Sequence, residues 1–350
     1  MRHAIIPLLA LLALLVAACS SVGPETATVE DLSIPSMTPA VGRDWPDKPL
    51  FVAGKLTVAS QPLNLPGELY LPKNAPTPMP AVVLVHGSGG LDYEGTHIRE
   101  WAGRLNAWGV AALVIDTYGP RGITETVSDQ QQISIFAQVA DAYAALKQLA
   151  ADPRIDRDHI AIMGFSRGAI VTVDTAFETL RQGFGGGNLH FAAHVALYSG
   201  CNVAFADHAT DKAPMLFLHG EGDDFTPMAP CKEYATWLQS MGNAVTFVSY
   251  PGALHAFDST MQVFNLPMAP TFGTCDARYD LGTARFVRVD HVDNPQMTAD
   301  GMRKYFAGCG AKGASLGGDD KARADAFVQV HRFLTTTIHA RADQPGLASR

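Results

Sequence analysis

No stretch of this chain is rich in lysine and arginine, and the net charge is −8. A nucleic-acid partner needs a cationic face that displaces counterions from phosphates, so the sequence argues against one. No Cys-x-x-Cys pair is present and the cysteine spacings are long, which leaves a zinc site a weak reading. Propeller-like repeats and a second domain are also not visible. What is there is ordinary globular material: 350 residues, 47% hydrophobic and 17% charged. One large α/β domain accommodates it.

The first nineteen residues read as a processing segment. Arg2 and His3 make a short positive start, and residues 4–18 are apolar except for Pro7. That run is too short for a spanning helix and suits a secretory signal. It ends in Val16-Ala17-Ala18-Cys19, which resembles the lipobox of bacterial lipoproteins. The resemblance implies a lipid on Cys19 as the mature N-terminus; an ordinary signal peptide cleaved nearby is the alternative. Ser20 in place of Asp implies the outer membrane, with the protein facing the periplasm. With Cys19 set aside, Cys201, Cys231, Cys275 and Cys309 remain, an even number suited to disulfides in an oxidising compartment. Three pairings are open. Cys201–Cys231 and Cys275–Cys309 are preferred because each pair brackets one local region.

Residues 20–49 are rich in Ser, Thr, Pro and acidic residues and read as a flexible tether. Two β-like stretches follow, 51–59 and 65–71. Then strand, loop and helix alternate. Residues 81–85, 110–115, 160–163, 192–198, 215–218 and 245–250 are apolar at nearly every position, as strands buried on both faces are. Segments 130–151, 167–180 and 319–339 carry apolar residues at spacings of three and four, as amphipathic helices do. The pattern predicts a doubly wound, mostly parallel α/β sheet flanked by helices, within a domain spanning 50–342 and followed by a tail at 343–350. Residues 259–318 break it and read as an irregular insertion before the last helix, partly ordered by Cys275–Cys309.

The chemistry gathers at loops after strands. Gly164-Phe165-Ser166-Arg167-Gly168 lies between a buried strand and an amphipathic helix, the context in which a Gly-x-Ser-x-Gly serine is a nucleophile. Glycines two positions either side let strand and helix cross closely. The helix N-terminus then directs amides at the place where negative charge develops. An oxyanion hole needs two N–H groups. Arg167 supplies one, and Ser88 in His86-Gly87-Ser88-Gly89-Gly90 supplies the other, with Gly89 next in line. His86 falls too early to be the base and reads as structural. The acid belongs in Gly220-Glu221-Gly222-Asp223-Asp224-Phe225-Thr226-Pro227; Asp223 is preferred and Asp224 stays open. His255, beyond the last strand, is the candidate base. The order Ser, Asp, His is the α/β-hydrolase order.

These segments resemble the dienelactone hydrolase family of α/β-hydrolases. So do Asp116-Thr117-Tyr118-Gly119-Pro120-Arg121-Gly122, Asp152-Pro153-Arg154-Ile155-Asp156, Tyr198-Ser199-Gly200-Cys201 and Pro230-Cys231. The resemblance runs from about residue 50 to Asp258 and resumes in the final helix. It implies an α/β-hydrolase fold and hydrolysis of an ester or lactone through an acyl-enzyme, with no metal or organic cofactor. Two departures stand out. The founding members use cysteine where this chain has Ser166, and they carry a glutamate near the oxyanion loop where this chain reads His86-Gly87-Ser88. Arg121 and Arg167 are candidates for binding a substrate carboxylate. A serine peptidase on the same fold, or a lipid-anchored binding protein without activity, are the alternatives.

Overall fold

Eight strands form one sheet in the computed structural model, which describes residues 27–41, 45–73, 75–289 and 296–341. The signal segment, Cys19 and the 343–350 tail lie outside the described residues. The strands are β1 (Ala27–Pro39), β2 (Ser60–Pro72), β3 (Met79–Val85), β4 (Ala111–Ile115), β5 (Ile155–Phe165), β6 (His194–Leu197), β7 (Met215–Gly220) and β8 (Val245–Tyr250). Their order is β1-β2-β4-β3-β5-β6-β7-β8. All pairs from β4 to β8 are parallel, and β1 and β2 add an antiparallel edge. This is the expected doubly wound arrangement. Strand order reverses at β3, so the crevice outside the carboxyl ends of β3 and β5 is where a ligand site forms.

The buried strands alternate their side chains between two cores. Val82, Leu84, Ala112, Val114 and Met163 face one layer with Ile98, Trp101 and Leu105 of helix α1 (Gly90–Ala107). Val83, Val85, Leu113, Ile115 and Ile162 face the other, with Phe136, Val139 and Tyr143 of α2 (Ile135–Ala151). Next come α3 (Arg167–Asp174), α4 (Glu178–Gly183), α5 (Met228–Ser240), α6 (Ala299–Cys309) and α7 (Asp320–Thr337). Phe327, Val330 and Leu334 of α7 complete the first layer.

Several boundaries differ from the sequence expectation. Residues 27–39, expected within the tether, pair in register with β2 from Ala27↔Pro72 to Pro39↔Ser60. The segment looks irregular because it is an edge strand with one side in water; Ile34 alone among its aliphatic residues is fully buried. The 51–59 stretch is a two-residue hairpin, Phe51–Val52 with Lys55–Leu56, turned by Ala53 and Gly54 at positive φ. Helix α2 begins after Ser134, whose side chain accepts from Ala137 N, so residues 130–134 are loop. The 167–180 helix is interrupted after Asp174, where Phe177 bridges to Thr210.

The 259–318 insertion is not irregular. It contains a ribbon of Phe264–Thr271 with Ala311–Leu316, a hairpin of Ala277–Asp280 with Arg285–Arg288 joined to Val203–Phe205, and α6. The insertion's own strands carry proline, glycine or charged residues, so no apolar run marks them in the sequence. Both preferred disulfides, Cys201–Cys231 and Cys275–Cys309, are formed, and the second ties α6 to the start of the hairpin.

Because Ile34 is 1% exposed, Ile34→Ala is expected to cost about 2–5 kcal/mol. A denaturant titration measures it; a tether residue would show no change in midpoint.

Candidate active site

Three loops at the carboxyl ends of β5, β7 and β8 meet at one point. Ser166 occupies the turn from β5 into α3 with φ 53 and ψ −115. A Cβ on Gly164 would lie 2.0 Å from Gly168 O, and one on Gly168 would lie 2.1 Å from Val85 O. No other residue fits at either position, and the crossing they permit forces the serine out of its strand toward the sheet edge.

Ser166 Oγ lies 2.9 Å from His255 Nε2, and His255 Nδ1 lies 2.8 Å from Asp223 Oδ2. With Nδ1–H donating to the carboxylate, Nε2 is free to accept the serine proton. The other Asp223 oxygen accepts from Phe225 N at 2.9 Å and Thr226 N at 2.8 Å. Thr226 Oγ1 stands 2.9 Å from Asp223 Oδ2 and 3.0 Å from both His255 Nδ1 and Tyr198 O. Burial alone would raise the Asp223 carboxyl. The charge and hydrogen bond of His255, His219 beside it and the Thr226 amide outweigh that, and it sits below the ordinary carboxylate value. It therefore stays ionised through neutral pH. Asp224 points elsewhere, accepting from Ser315 N at 2.7 Å on the ribbon. The ambiguity between the two aspartates is thus resolved by direction.

The loop after β3 is held by Glu94 on α1, whose carboxylate accepts from Gly87 N at 2.6 Å and Gly89 N at 2.8 Å. Ser88 N between them, and Arg167 N at the start of α3, donate to no acceptor among the described residues. Gly89, the second choice for the oxyanion loop, is consumed by Glu94. His86 is fully buried, with Nδ1 donating to Gly87 O at 2.8 Å and burial holding its pKa low, in keeping with a structural role.

Apolar groups close over the site. The His255 ring lies 5.0 Å from Phe225 and 4.7 Å from Tyr198. His255 bridges to Leu316 of the ribbon, which clusters with Phe225, Val127 and Leu266. Ser166 keeps 8% exposure and His255 2%. Among the described residues no group of three or more His, Cys, Asp or Glu is gathered to hold a metal ion.

Arg121 does not reach this site. Its Nη1 lies 2.7 Å from Asp141 Oδ2 and donates to Thr117 O at 2.7 Å, while Nε donates to Thr38 Oγ1 at 3.0 Å. Its substrate-binding assignment is corrected: the guanidinium is committed to a buried carboxylate and to β1. The Arg167 guanidinium is likewise engaged, donating to Gln138 Oε1 at 2.6 Å and Ile133 O at 2.6 Å. Sequence reasoning assigned no role to Glu94, Gln130 or Thr226; Gln130 in particular is revealed only by contacts across 42 and 37 positions.

The profile of the dienelactone hydrolase family matches residues 65–268. The chain belongs to the dienelactone hydrolase family. A Methylorubrum extorquens protein named as a carboxymethylenebutenolidase is 28% identical over 223 residues, covering 59% of this chain and 72% of that protein. Esterase EstD of Thermotoga maritima is 32% identical over 143 residues, 40% of this chain and 33% of EstD. A Klebsiella pneumoniae structure described as a dienelactone hydrolase is 21% identical with a TM-score of 0.46, covering 66% of this chain and 89% of that one. This dienelactone hydrolase family member is a serine hydrolase of carboxylic esters.

Arg121→Leu is expected to destabilise the fold by about 3–5 kcal/mol, because it strands a buried charge, and to leave KM for esters unchanged. Burial already pushes Asp141 up to about 6. The loss should therefore shrink as pH falls, since the folded state then binds a proton the unfolded state lacks. Thermal melts at several pH values and ester kinetics test both parts.

Proposed function

We propose that Ser166 attacks the carbonyl of a carboxylic ester or lactone while His255 takes its proton and Asp223 supports the resulting imidazolium. The carbonyl oxygen becomes an anion received by the Ser88 and Arg167 amides. Collapse expels the alcohol, protonated by His255, and leaves an acyl group on Ser166. Water, deprotonated by His255, then releases the acid. The observation that carries this reading is the unbroken relay of 2.9 and 2.8 Å from Ser166 through His255 to Asp223. Two amides without other acceptors beside the serine support the oxyanion assignment. The intact relay disfavours the inactive binding protein. Within the family reading, the names carboxymethylenebutenolidase and esterase on relatives favour esters and lactones over peptides.

Serine in place of cysteine keeps the proton economy simple: an alcohol needs a base during attack, and His255 Nε2 is within hydrogen-bond reach. Glu94 lies close to the loop where the founding enzymes' glutamate engages a thiol. Here it binds loop amides instead, which fits a serine enzyme whose nucleophile is activated by histidine alone.

The lipobox reading extends the proposal to place: a protein lipidated at Cys19, tethered to the outer membrane and facing the periplasm. Residues 20–26 link Cys19 to β1, a reach of at most about 28 Å. β1 starts beside Pro72, at the amino ends of the parallel strands, whereas Ser166 lies beyond their carboxyl ends. An anchor at Cys19 would hold the catalytic mouth away from the bilayer, and two disulfides suit the oxidising compartment.

Ser166→Ala is expected to abolish ester turnover with the fold retained. Asp223→Asn should lower kcat roughly 10⁴-fold, and Asp224→Asn should not. Fluorophosphonate labelling should be confined to Ser166; a labelled Ser166→Ala protein overturns the assignment. For the anchor, a clickable fatty acid should label wild type in cells and not Cys19→Ala.

A further inference from the structure

The two amides assigned to the oxyanion belong to different elements, Ser88 to the loop after β3 and Arg167 to the start of α3. Oxyanion donors act when held about 2.7–3.1 Å from the developing charge, and a displacement of about 1 Å can cost 10²-fold. The Ser88 loop is glycine-rich, with Gly90 at φ 65, so something must hold its distance from α3.

Side chains do this through a closed ring. Gln130 Nε2 donates to Ser88 Oγ at 3.0 Å, and Arg167 Nη1 donates to Gln130 Oε1 at 3.0 Å. Arg167 Nε donates to Gln138 Oε1 at 2.6 Å, and Gln138 Nε2 donates to Thr117 Oγ1 at 3.0 Å. Thr117 Oγ1 lies 3.0 Å from His86 Nε2, and the backbone from His86 to Ser88 completes the circuit. The donors run outward from Arg167 along both arms, through Gln130 to Ser88 and through Gln138 to Thr117. Thr117 N also donates to His86 Nε2, so Nδ1 carries the hydrogen it gives to Gly87 O. Arg167 is buried and meets neutral acceptors here, Gln138, Gln130 and Ile133. Hydrogen bonds from a charged donor are stronger than neutral ones and resist displacement when buried. Gln130 is the one link that touches both oxyanion residues, and it comes from the loop before α2.

We propose that Gln130 is a positioning residue of the oxyanion hole: it sets the separation of Ser88 and Arg167, and so aims their amides at the tetrahedral anion. This rests on the oxyanion reading given above. The residue touches neither substrate nor reacting atoms; it acts through the two residues that do.

The test uses Gln130→Met, which keeps length and removes the side-chain hydrogen bonds while leaving Gln130 O to accept from Arg167 Nη1 at 3.2 Å, and Ser88→Ala, which keeps the amide and removes the Oγ end of the link. Both are measured for kcat and KM on an aryl ester and for affinity to an aryl trifluoromethyl ketone. Ser166 Oγ adds to that ketone carbon, its proton passes to His255, and the ketone oxygen becomes the anion. Each variant should lose about 10- to 100-fold in kcat and a similar factor in ketone affinity, with KM within about twofold. The double variant should be no worse than the worse single, because either change opens the same link. Folded variants with kcat and ketone affinity within about twofold of wild type, or fully additive losses, overturn the proposal. Ser166→Ala run alongside separates the two readings. If it retains turnover, the active-site reading fails and takes this one with it. If it is dead while Gln130→Met matches wild type, the positioning role alone falls.

Discussion

The rest of the site depends on the tight crossing where α3 leaves β5. Gly164 and Gly168 leave so little room that backbone carbonyls of Gly168 and Val85 fill the space their side chains would need. This crossing holds Ser166 at φ 53, a conformation costing on the order of 1–3 kcal/mol for a non-glycine residue. The surrounding sheet over-determines it: Val85, Gly164 and Leu197 lie at the carboxyl ends of adjacent parallel strands, where residues 81–85, 160–165 and 194–197 are all buried. Strain at the serine thus follows from packing of the core. It delivers both Ser166 and the first turn of a helix to one point.

Around that point, buried charges are each met differently. Asp223 is held ionised by His255 and the amides of its own turn. Asp258, close after His255 in the chain, accepts from Trp101 Nε1 and Tyr198 OH and faces His97 at 3.0 Å. Burial would raise its carboxyl, yet the His97 charge and these hydrogen bonds bring it below the ordinary value. The effect is to pin the histidine loop to α1 on one side and to the turn after β6 on the other. Tyr198 then connects both carboxylates, since its ring packs on His255 and its carbonyl faces Thr226 Oγ1. The His255 ring is therefore oriented from two sides, by Asp223 and by the Tyr198–Asp258 network.

The ribbon from the 259–318 insertion forms a wall of the same site. Leu316 bridges to His255, and Asp224, passed over as the triad acid, caps Ser315 on that wall. Two adjacent aspartates consequently serve opposite sides of one loop. Adjacent positions on a turn point in divergent directions, so the spacing that favoured Asp223 left Asp224 open until the loop's geometry separated them. Buried strands were legible because they are apolar at every position. The edge strand β1 was not, because an edge keeps one side in water and reads like a linker. The strands of the insertion were not either, because proline, glycine and charged residues interrupt any apolar run in them.

The sequence by itself determined the central strands, the turn at 164–168 that carries Ser166, the loops that carry Asp223 and His255, and the cysteine pairing preferred from their local bracketing. Each of these is a local property: an apolar run, a glycine spacing, a residue just past a strand. Only the tertiary structure decided that Arg121 meets Asp141, that Asp223 rather than Asp224 meets His255, and that Glu94 and Gln130 bind the loop after β3. Those outcomes depend on where side chains point after distant segments converge, and Gln130 stands 42 positions from Ser88 and 37 from Arg167. A linear pattern carries no record of such directions; close packing around a parallel sheet creates them.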